Sequence, residues 1–141
     1  MAVANSIVKQ TYGAPEKHIL IANDSYLVTL GAIVANTGIS ADSNGKKILK
    51  AGTPLYGNIE KRDTAFVKAT QTDAAGDNPA SNNATAVLLH DVDVTDGDNN
   101  ATIILAGCVD LLKLESAVKA MITAEAKAAL PRIIFVEGSA I

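Results

Sequence analysis

Residues 86–110 read AVLLHDVDVTDGDNNATIILAGCVD, and two readings of this stretch compete. In the first, His90 with Asp91, Asp93, Asp96 and Asp98 assembles a metal or catalytic site. In the second, Val87 to Val94 and Thr102 to Val109 are strands, and TDGDNNA between them supplies residues that tolerate turn and left-handed conformations. The two readings imply different proteins, so the motif has to be tested against the chemistry each site needs.

A calcium loop starting at Asp91 places Asp93 third and Thr95 fifth, but puts Asp96 at the sixth position, where Gly is required, and Thr102 at the twelfth, where a bidentate Glu belongs. Its flanks are apolar strand text rather than helices. A zincin needs H-E-x-x-H on a helix, whereas His18 and His90 stand far apart in β-like text. A hydrolase would pair His90 with an aspartate and need a Ser or Cys nucleophile on an elbow, and no G-x-S-x-G occurs. Asp91 and Asp93 alternate onto one face of a strand, which by spacing alone is a polar strand end. Phosphoryl, dinucleotide and iron-sulfur signatures are missing. The expectation is therefore no catalytic residues, no cofactor and no assembled metal site, with weak calcium binding by Asp96, Asp98 and Asn99 as the alternative left open.

Bulk properties support an ordered chain. Its 141 residues suffice for one fold that buries roughly 70% of the unfolded surface. Hydrophobic residues make up 48% with only two Phe, three Tyr and no Trp, so the core must be aliphatic. Twelve basic against fifteen acidic residues give a net charge of −3 and no basic field for a phosphate backbone, which argues against nucleic acid as a partner. Cys108 is the single cysteine, so no intrachain disulfide forms. Among apolar neighbours it reads as a packing residue. No stretch reads as a membrane span, and MAVANSIVKQTYGAPEK lacks the pattern of a secretory signal.

Working outward, residues 1–17 are weakly patterned and read as an N-terminal arm, with 18–141 as one β-rich domain. HILIA and YLVTLGAIVA read as strands, with Gly31 marking a bulge or a close backbone approach. Asn44-Gly45 predicts a type I′ hairpin turn, and Lys46, Lys47 and Lys50 beyond it read as a solvated edge. AGTPLYGN predicts a tight corner, IEKRD a solvated connection, and 65–69 a short strand. Residues 70–85 are polar and read as a long exposed loop. Leu114, Val118, Met121 and Ile122 repeat at helical spacing, and Thr123 restarts the helix as an N-cap before Pro131 ends it. RIIFVEG is the last strand. The fold class is thus mainly β (α+β), a compact antiparallel sandwich or barrel-like domain with one or two short helices near the C-terminus.

The order AGTPL, then AVLLHDVDVTDGDNNATIILAGCVDLLKL, then AALPRIIFVEG resembles the head fibre and head decoration proteins of tailed bacteriophages. The similarity runs from about Ile33 to Glu137 and is tightest over Ala86 to Leu114. It implies a non-enzymatic virion protein on the capsid exterior, made in the bacterial host cytoplasm. As a homotrimer it would sit at three-fold or quasi-three-fold positions, contact the major capsid protein and reinforce the head. Because the text stops soon after FVEGSAI without heptads, the expectation is a base without a distal fibre. Capsid contact is expected from the arm residues Ile7, Val8, Lys9, Gln10, Thr11 and Tyr12. Trimer contact is expected from Leu130, Arg132, Ile133, Ile134, Phe135 and Val136. The competing expectation is a carbohydrate-binding or adhesive module, against which the lack of Trp counts, because sugar platforms need aromatic faces.

Overall fold

The computed structural model describes residues 19–20, 27–69 and 83–137. These form strands β1 (Val28–Val34), β2 (Ile48–Leu49), β3 (Pro54–Tyr56), β4 (Val67–Lys68), β5 (Ala86–Leu88), β6 (Val92–Asp93), β7 (Asn99–Asp110) and β8 (Ile133–Val136). A 3-10 turn at Leu111–Lys113 and two short helices, α1 (Ser116–Lys119) and α2 (Ala124–Ala129), lie between β7 and β8. The protein is mainly β, as the alternating and β-branched text predicts.

The long strand β7 organises the main sheet, whose order is β1-β7-β5-β3-β4 with β8 added to β7. The pairs along this row are antiparallel; β8 alone runs parallel to β7, from Gly107 opposite Ile133 to Asp110 opposite Val136. The two ends of the row then meet. Val34 and Phe66 form a parallel bridge, in which the Phe66 amide donates to Ile33 O (2.7 Å) and the Ala35 amide donates to Phe66 O (2.9 Å). Arg62 Nε reaches across the same seam to Gly31 O (3.0 Å). The sheet thereby curls into a small barrel, a closure that joins the two outer edges of the β1-to-β4 row.

Strand alternation sorts the core into two clusters. On β5, all of whose residues are buried, Ala86 and Leu88 join one cluster while Val87 joins the other. The first gathers Val34, Leu55, Phe66, Leu88 and Ile103 from the barrel strands, closed by Leu49, Val92 and Val94 around the separate two-stranded sheet β2–β6. The second gathers Val87, Ile104, Val109 and Ile133 beneath the helical segment. There the periodic stripe Leu114, Val118, Met121 and Ile122 is buried at 2–8% exposure, as its spacing requires. The helical text divides into two pieces. Thr123 caps α2 by accepting the Ala126 amide (3.2 Å), and Glu125 lies in the first turn.

Several local expectations need correction. The Val87 to Val94 text is not one strand. Its pairing with β7 ends where the Leu89 amide donates to Thr102 O (3.0 Å), after which β6 turns away to pair with β2. Asp91 fixes that departure by accepting the Ala51 amide (2.7 Å). Pro54 to Tyr56 is a strand rather than part of a corner. The turn is made by Ala51 and Gly52, and Pro54 opens β3, a position proline tolerates in a sheet. Gly52 has φ +92°, and a Cβ there would run into the Leu114 side chain.

Gly31 pairs in register with Thr102, and a Cβ on it would meet nothing within 4 Å. The bulge instead lies between Val28 and Thr29, which face Ala106 and Ile104, so that Leu105 is the extra residue. At the Asn44-Gly45 turn, the Gly45 amide donates to Asp42 O (3.0 Å) and the Asp42 amide to Lys46 O (2.8 Å). Ser43 and Asn44 are therefore the central pair. Gly45, at φ +76°, takes the following left-handed place of a three-residue loop rather than a centre of a type I′ turn.

Candidate interaction surface

The acidic stretch is best judged by what each side chain holds. Asp91 anchors Ala51, as described. Asp93 accepts the Thr95 amide (2.9 Å) and lies 4.0 Å from Lys46 Nζ. The Thr95 hydroxyl and amide bonds draw the Asp93 carboxyl below the ordinary aspartate range. Asp98 accepts the Asn36 amide (3.3 Å), and Asn99 Nδ2 donates to Asp93 O (3.0 Å). The Lys47 amide donates to Thr95 Oγ1 (2.8 Å). These contacts pin the β6–β7 connection to β1, β2 and the Ala51 turn. Among the described residues, no group of three or more His, Cys, Asp or Glu side chains is placed to hold a metal ion. No helix of the described residues is long and apolar enough to cross a membrane.

The other sequence-derived contact set is divided by the fold. Leu130 at 4% exposure and Ile133 at 5% are buried in the core beneath the helical segment, so their side chains belong to the chain's own interior. This follows from position. Leu130 caps α2 with its amide donating to Ala126 O (3.1 Å), and the Ile133 amide donates back to Leu130 O (3.1 Å), which turns the chain straight into β8. Phe135 is half-buried against the same core and Val136 is half-buried. Arg132 is exposed, and Ile134 stands 51% exposed. Residues Ile7 to Tyr12 lie outside the described residues.

What remains at β8 is an apolar strip. Ile134 pairs with Cys108 on one side of β7, and Val28 pairs with Ala106 on the other. Ala106 and Cys108 are two residues apart and share a face, so Ile134 and Val28, at 48% exposure, flank that face from both sides. Next to it, where α2 passes into β8, Ile59, Leu105, Ala129, Leu130, Pro131 and Arg132 line a mostly apolar groove. Among the described residues β8 pairs only with β7, so it is the one long-sheet strand the barrel closure does not enclose.

The far end of β8 is held by charge. Lys119 Nζ lies 2.8 Å from Glu137 Oε2, tying α1 to the strand's last residues and holding the Glu137 carboxyl below the usual range. No sequence signal marked Val28 as part of this face. Val28 lies where the bulge at Leu105 shifts the register of β1 against β7, which spacing does not reveal.

The described residues thus form a β barrel with one strand outside its closure and two half-exposed apolar side chains, Val28 and Ile134, beside that strand. No family model matches the chain, and no curated protein matches it.

Proposed function

We propose that this chain is a structural protein of a tailed-phage virion, binding the outside of the capsid as a decoration protein of the head fibre base type. In this reading it is a homotrimer at three-fold or quasi-three-fold positions, the major capsid protein is its partner, and its attachment reinforces the head. The observation that carries the proposal is the apolar face on which half-exposed Ile134 and Val28 flank partly buried Cys108, beside the groove at Leu105 and Pro131. Such a face favours association, because covering apolar surface contributes roughly 25 cal/mol per Å².

The sequence resemblance adds to this support. Its tightest part, Ala86 to Leu114, coincides with β5, β6, β7 and the 3-10 turn, the segment around which the barrel is organised. In the proposal the β8 face joins subunits and the arm at Ile7 to Tyr12 reaches the shell. A ring of identical subunits would multiply weak individual contacts into firm attachment.

The two contacts can be separated by co-sedimentation with undecorated heads. Deleting residues 1–17 is expected to abolish co-sedimentation while leaving the oligomer intact. Unchanged binding by the truncated chain would overturn the assignment of the arm.

A further inference from the structure

We propose that Asn44 is a self-modifying position, converting to aspartate and isoaspartate, and that the Asp42 carboxylate sets the rate by holding the turn closed. Of the chain's asparagines, only Asn44 precedes glycine, whose lack of a side chain leaves its amide nitrogen the least hindered nucleophile. Both residues are exposed at the head of β2.

The chemistry is intramolecular. The Gly45 amide nitrogen gives its proton to solvent base and attacks Asn44 Cγ. The new N–Cγ bond forms as the Cγ–Nδ2 bond breaks, and Nδ2 leaves as ammonia after taking a proton from water. Water then opens the cyclic imide at either carbonyl, giving aspartate or isoaspartate.

In the closed turn that attack is blocked. The Gly45 amide is donated to Asp42 O (3.0 Å), and Asp42 Oδ1 accepts both the Asn44 amide (2.8 Å) and the Lys46 amide (2.9 Å). With the Asp42 amide donated to Lys46 O (2.8 Å), every bond of the loop runs through one residue. Opening must precede reaction, so the rate of modification reports how tightly Asp42 holds. The product matters locally, because isoaspartate lengthens the backbone next to β2 and adds a negative charge beside Lys46.

The test is peptide mapping of the intact protein during prolonged incubation at mildly alkaline pH, with the unfolded chain in urea alongside. Asn44 is expected to convert ahead of every other asparagine. Asp42→Ala should accelerate conversion of the folded protein by roughly a hundredfold, since each of the two lost hydrogen bonds to a charged acceptor is worth about a factor of ten or more. Asp42→Asn, which keeps an acceptor oxygen, should fall between, and in urea all three chains should react alike. Earlier conversion at another asparagine, or equal folded rates for the native chain and Asp42→Ala, would overturn the proposal. The urea comparison separates an opened turn from an altered intrinsic reactivity.

Discussion

Gly57 lies so close to the ring of Phe66 that a Cβ placed on it would sit 2.5 Å from the ring carbons. The bare backbone at Gly57 lets Phe66 fill the barrel interior at the seam where its own backbone bridges Val34, and the ring has no exposure. Phe66 thus joins the closure of the sheet to the filling of its core. Phe66→Ala should cost about 3–5 kcal/mol, and Gly57→Ala about 1–3 kcal/mol through overpacking, both read by urea unfolding. Equal stability of Phe66→Ala and the native protein would contradict barrel closure at this seam.

Thr123 is the side-chain cap of α2, accepting the Ala126 amide. Thr123→Ala should lower stability by about 1 kcal/mol, while Thr123→Ser, which retains the acceptor, should stay near the native value. Denaturation midpoints of the two variants give the comparison.

Acid should weaken the fold through carboxylates held below their ordinary range. The Lys46 and Asn44 amides do this to Asp42, the Thr95 hydroxyl and amide to Asp93, and the Lys119 ammonium to Glu137. A carboxylate whose folded pKa is depressed contributes stability that is complete above its unfolded value and is lost as pH falls through the folded one. Loss should therefore begin below about pH 4. All three groups are exposed, so the effect should be small and reduced by salt. The combined variant Asp42→Asn, Asp93→Asn, Glu137→Gln should flatten the acid limb of a stability-versus-pH curve; an unchanged limb would assign acid sensitivity elsewhere.

In the proposed trimer, the β8 face would separate association from folding. Ile134 is half exposed, whereas its neighbour Ile133 is buried. Ile134→Lys should leave monomer stability within about 0.5 kcal/mol and abolish self-association, whereas Ile133→Lys should unfold the protein. Sedimentation velocity with a parallel melting curve distinguishes the two outcomes. An oligomer that survives Ile134→Lys would remove β8 from the interface.

Local text announced most of the strands, the helical stripe and the Thr123 cap, because each depends on periodicity or on a cap within a few residues. Barrel closure was less legible. Val34 and Phe66 meet over a long sequence separation, and no local pattern says that a sheet's outer strands will touch. The separation of β6 from β5 was hidden for the same reason, since the Asp91 contact that turns the chain is made with distant Ala51. The trimer-contact reading took an apolar strand as an outward face, whereas alternation sends Ile133 inward and leaves Ile134 outside. In the acidic stretch, Asp91 and Asp98 accept the backbone amides of distant Ala51 and Asn36, contacts that only the folded positions reveal.

The central claim is attachment to a capsid, and imaging tests it most directly. Purified protein mixed with undecorated tailed-phage heads should, on the proposed function, add density at three-fold or quasi-three-fold positions, with the barrel fitting that density and β8 facing the symmetry axis. Heads without added density, with the protein remaining free in solution, would contradict the account.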